Sequence, residues 1–83
     1  MALRGKTIHT PEQEAFCALM IAAREKAGLT QAKLARRLKR HQSFVAKYEI
    51  GERRLDVIEF ISIMRALRTD PVRLIKTLAP KIR

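Results

Sequence analysis

The stretch 29–54, LTQAKLARRLKRHQSFVAKYEIGERR, constrains this chain most, because its apolar residues follow a helical period twice, with a short break between. Thr30 can cap a first helix, since its hydroxyl can accept from one of the N–H groups left unpaired at any helix start. Leu34, Ala35 and Leu38 then share one side while Lys33, Arg36 and Arg37 fall elsewhere, giving an apolar inner edge and a basic outer one. Lys39, Arg40 and His41 interrupt the apolar period for three residues, about the length of the connection in a helix-turn-helix. A second helix is predicted from Gln42 to Ile50, with Gly51 able to take the left-handed conformation past its end.

Rotating that second helix by about 100° per residue separates two faces. Phe44, Val45 and Tyr48 cluster on one; Gln42, Ser43, Ala46 and Lys47 cluster on the other. A helix that needed only solubility would more often carry Glu and Lys on its outer face. Gln can pair bidentately with adenine in a major groove, Ser can donate or accept at base edges, and a small Ala permits close approach. Basic residues flank this face in sequence, where phosphates border a groove. Base reading is therefore expected from Gln42, Ser43, Ala46 and Lys47, and backbone contact from Arg36, Lys39, Arg40, His41 and Arg53.

The words LTQAKLARRL and QSFVAKYEIGERRLDVIEF resemble the Cro/cI-type (XRE-like) helix-turn-helix DNA-binding domains, and the resemblance covers about 22–78. It implies an all-α, compact five-helix lambda-repressor-like domain. It further implies that Gln31 lies on the DNA backbone, Gln42 at base edges, Ser43, Ala46 and Lys47 toward the groove, and Arg53 near a phosphate. Two positions depart from the family's pattern: Lys39 stands where a Gly is usual, and His41 where a Ser or Thr cap is usual. A left-handed Lys39 costs stability, and histidine caps weakly.

The remainder of the chain reads as support. Residues 1–9, with Arg4 and Lys6 and no periodicity, are expected to form a flexible basic arm, and 10–83 a single domain. Its helices are expected at about 10–27, 30–38, 42–50, 56–67 and 70–79. Thr10-Pro11-Glu12-Gln13 is a helix start with the makings of a capping box; Phe16, Leu19, Met20, Ala23 and Ala27 are its core stripe, and Gly28 its stop. Asp56 caps a later helix whose stripe is Val57, Phe60, Ile61, Met64 and Leu67, widened by Ile58 and Ile63. Asp70-Pro71 starts the last helix. There Leu74 and Leu78, with Ile58 or Ile63, are expected to make a homodimer contact, since one reading helix spans only a few base pairs.

Charge supports a polyanion partner. The 18 Lys and Arg against 8 Asp and Glu give +10, and from Lys33 to Arg54 eight basic residues oppose Glu49 and Glu52. An enzyme is not expected: His9 and His41 have no carboxylate or cysteine at ligand spacing, and no glycine-rich loop is present to cradle phosphate. No catalytic residue, metal, cofactor or small-molecule substrate is therefore expected. Cys17, the single cysteine, lies in an apolar run and reads as a buried thiol. Glu49 reads as structural, fixing the turn by hydrogen bonds or pairing with a nearby arginine, and Phe44 as core-edge packing that borders the outer face. No signal segment or bilayer-length apolar run is visible, which points to the cytoplasm and to no membrane partner. The expected function is sequence-specific recognition of double-stranded DNA by a prokaryotic repressor or autoregulator on a palindromic operator. The alternative is the antitoxin of a toxin–antitoxin pair, binding both its operator and a toxin protein.

Overall fold

Four of the helices begin on a residue whose side chain accepts from the helix's own unpaired N–H groups. Thr10 accepts from the Gln13 N–H at 3.1 Å, Thr30 from Lys33 at 3.1 Å, Asp56 from Glu59 at 2.7 Å and Asp70 from Val72 at 2.9 Å. In the computed structural model, which describes residues 10–82, these starts open α1 (Pro11–Lys26), α2 (Gln31–Leu38), α4 (Val57–Ala66) and α5 (Pro71–Leu78). Between them lies α3 (Gln42–Glu49), and a 3-10 turn at Ala79–Lys81 closes the chain. The described residues contain no strand. The basic arm expected at 1–9 lies outside them.

Asp56 and Glu59 complete a reciprocal capping box, whereas α1 has the Thr10 half of the box expected there. At the cap of α3, His41 makes no side-chain cap bond, as an imidazole at that position predicts. The connection from α2 to α3 turns at Lys39, which is left-handed at φ 57° and ψ 42°. Its own N–H donates to the Arg36 carbonyl and that of Arg40 to the Ala35 carbonyl, so the last carbonyls of α2 are met at the cost of a conformation suited to glycine. Gly51 takes the corresponding role after α3 at φ 82°.

α3 packs against α1 and α2; α4 supports α2, and α5 closes on α1 and α4. Met20, Leu34, Val45, Ile63 and Met64 are the largest fully buried side chains, one from each of α1 to α3 and two from α4. Burial of each contributes about 1.5–3 kcal/mol. Phe16 and Phe60 pack with tilted rings 5.8 Å apart between α1 and α4.

The apolar faces of α4 and α5 differ from expectation. Leu74 and Leu78 lie four residues apart on the side of α5 that docks on the core, and Ile63 shares the inner side of α4 with Phe60 and Met64. Three of the four expected dimer residues are thus spent inside the chain's own core, Leu74, Leu78 and Ile63 with exposures of 8%, 8% and 1%, while Ile58 stays exposed. Val57 is likewise not core but exposed, because the inner stripe of α4 starts only at Phe60. The uncovered apolar side chains on these helices are Val57 and Ile58 at the start of α4 and Val72 and Ile75 on α5. No helix among the described residues is long and apolar enough to cross a membrane.

Candidate nucleic-acid interface

The two faces of α3 separate as its period dictates. Phe44, Val45 and Tyr48 are buried; Gln42, Ser43 and Lys47 are exposed and Ala46 is half-buried. Val45 is pinned in the core, which fixes the roll of the helix and so the direction in which the polar face looks.

A hydrogen-bonded chain then fixes the end of that face. The Gln42 Nε2 donates to Gln31 Oε1 at 3.4 Å, and the Gln31 Nε2 donates to Glu49 Oε1 at 2.8 Å. Glu49 is 4% exposed, and its carboxylate is held in turn by Arg24: Nε to Oε2 at 2.7 Å and Nη2 to Oε1 at 3.2 Å. Arg24 also donates to the Leu29 carbonyl at 2.8 Å, tying α1 to the segment that leads into α2. Pairing with Glu49 raises the Arg24 pKa further, so the guanidinium stays charged. Because Glu49 can only accept when ionised, Gln31 must turn its NH2 inward and its oxygen toward Gln42. The structural carboxylate read from the sequence is thus present, with a partner 25 residues earlier that the sequence did not single out.

The basic residues fall into distinct environments. Arg36, Lys39 and His41 are exposed, and Arg37 donates to the Ala66 carbonyl at 2.9 Å across to α4. Arg40 and Arg53 lie over the Phe44 ring, 3.9 and 4.8 Å from its centroid, and Phe44 meets Tyr48 edge-on at 5.4 Å. Phe44 is accordingly covered, not presented to a base. Arg53 pairs with both oxygens of Glu59, and this hydrogen bonding holds the Glu59 carboxyl below its usual pKa. Helical periodicity carries no sign of that pair, since its partners sit in a loop and a separate helix.

Cys17 is buried and donates to the Tyr48 carbonyl at 3.3 Å; burial pushes its thiol pKa up. The described residues hold no group of three or more His, Cys, Asp or Glu placed to bind a metal ion.

A helix-turn-helix with a pinned inner face, a polar outer face and flanking cations defines the class of DNA-binding transcription regulators. The family model of the helix-turn-helix domain matches residues 15–74. A solved structure of an XRE-family like protein from Pseudomonas syringae pv. tomato str. DC3000 is similar over 94% of this chain and 95% of that one, with 49% sequence identity and a TM-score of 0.83. No curated protein matches the chain. The chain belongs to the XRE-type helix-turn-helix family.

Proposed function

We propose that the chain regulates transcription by reading a specific double-stranded DNA sequence through Gln42, Ser43, Ala46 and Lys47. The observation that carries this reading is the orientation of Gln42. Its NH2 has two hydrogens, of which Gln31 takes one, leaving the other and the Oε1 for N7 and the N6 amine of one adenine. A solvated glutamine has no comparable reason to be tied, through Gln31, to a buried carboxylate.

Gln31, Arg36, Lys39, Arg40, His41 and Arg53 serve the phosphates on either side, positioning the helix without reading sequence. Since one such helix spans few base pairs, the chain acts as a homodimer on a palindromic operator and represses by occupying a promoter, its own included. Of the dimer residues read from the sequence, Ile58 remains exposed, beside Val57. That pair is the revised contact.

Binding by wild-type and Gln42→Ala chains to a duplex enriched from a random pool, and to its scrambled version, tests the reading. Gln42→Ala costs about 1–3 kcal/mol on the enriched duplex and much less on the scrambled one. Equal losses on both would remove Gln42 from base reading.

A further inference from the structure

Phe44 is the third residue of α3, and two guanidiniums cover its ring, one from the turn before the helix and one from the loop after it. A single carboxylate stands behind both. Arg53 Nη1 lies 3.0 Å from Glu59 Oε1 and Nη2 2.8 Å from Oε2, while Arg40 Nη2 lies 3.8 Å from the same Oε2. Arg53 is also tied to the Arg54 carbonyl at 2.8 Å. Glu59 does not swing with them, because its Oε1 accepts from the Asp56 N–H at 3.0 Å as half of the box that starts α4. Of the two cations beside the reading helix, Arg53 is therefore held by hydrogen bonds and Arg40 by a longer ion pair, and both share one counter-charge.

A guanidinium has five N–H donors. Arg53 uses three in these bonds, so two remain with which it can meet a phosphate without leaving Glu59. An arginine on a free stem behaves differently. It extends to any duplex that approaches, adding attraction that is blind to sequence.

We propose that Glu59 is a specificity-determining residue of this interface, holding Arg40 and Arg53 against Phe44 so that their phosphate contacts form only when α3 is fully seated in a groove. The inference rests on the base-reading proposal and assigns its selectivity to a residue that touches no DNA. Glu59 is a positioning residue. It withholds the two arginines from loosely docked complexes and leaves the seated complex nearly unaffected.

The test is Glu59→Gln, because a glutamine at the third helical position completes the capping box as a glutamate does, while the charge is lost. Glu52→Gln is the control: it lies exposed in the same loop and adds the same charge, and it bonds neither arginine among the described residues. Both variants and the wild type are titrated against the enriched and scrambled duplexes across a salt series, with melting temperatures taken alongside. Glu59→Gln is expected to tighten scrambled binding about three- to tenfold, and to steepen its salt slope by about one unit for each further phosphate neutralised. Its affinity for the enriched duplex changes less than about twofold, so selectivity falls. Glu52→Gln shifts both duplexes slightly and alike.

If Glu59→Gln tightens both duplexes equally, as Glu52→Gln does, its carboxylate is only bulk charge and the proposal is overturned. Weaker binding to both at unchanged melting overturns it too, by making Glu59 a support for phosphate contact in every complex. A wild-type chain that enriches no sequence would instead overturn base reading. The salt slope on a duplex of arbitrary sequence still reports on whether Glu59 restrains the arginines in that case.

Discussion

Removing Arg24 should cost this domain a large share of its stability. The Glu49 carboxylate has a side-chain exposure of 2%, and it accepts three hydrogen bonds, two from Arg24 and one from Gln31. Arg24→Ala leaves it buried with one neutral donor and no cation. Breaking a buried pair from one side costs about 3–5 kcal/mol, since the surviving charge loses its partner but not its desolvation. A domain of 83 residues has about 4–12 kcal/mol in total, at ~0.05–0.15 kcal/mol per residue. The variant is thus expected to melt at least ~12 °C below the wild type, at about 4–8 °C per kcal/mol for this size. Urea unfolding followed by helical circular dichroism gives the free-energy difference. The matched double variant, Arg24→Met with Glu49→Met, removes both charges at similar volume and should recover most of the loss. Arg24→Ala costing under about 1 kcal/mol would refute the reasoning, because that is the scale of a water-screened surface pair. A double variant no more stable than Arg24→Ala would refute it as well, by showing that the loss comes from packing.

Three further outcomes follow from single residues. Lys39→Gly relieves a left-handed φ of 57° at an exposed position and should stabilise the fold by about 0.5–1 kcal/mol in thermal melts, while weakening DNA binding through the lost cation. Tyr48→Phe should be neutral or stabilising by up to about 1 kcal/mol in urea titrations, because the Tyr48 hydroxyl is buried with no partner among the described residues and burial has already pushed its pKa up. The hydrogen bonds from Arg53 depress the Glu59 pKa in the fold, so its contribution is present above the unfolded value of about 4.3 and is lost as pH falls through the lower folded one. A pH series of melting temperatures should show that acid-side decline in the wild type, and a shallower one in Glu59→Gln.

What could be read in advance was what a few neighbouring residues decide. Thr10, Thr30, Asp56 and Asp70 cap their helices because a cap needs only a side-chain oxygen and the N–H groups two or three places on. The faces of α3 follow from eight residues and one period, which is why the split between Val45 and Gln42 is visible without any partner. Leu74, Leu78 and Ile63 show the limit of the same argument. Periodicity says that an apolar stripe must be covered, not whether the cover comes from this chain or a second one, and here α1 and α4 cover α5 while α2 and α5 cover α4. Arg24 and Glu59 lay beyond reach for another reason: each meets its partner only after the helices have assembled, Arg24 across 25 residues and Glu59 by folding back on the loop before it. The local signals therefore located α3 and its polar face, whereas the groups that hold that face are non-local. Gln42 is held through Gln31 by Glu49 and Arg24, and the flanking arginines by Glu59. A chain with the same α3 but different residues at those supports would keep the fold's outline and the polar face, and would hold the side chains of that face less tightly.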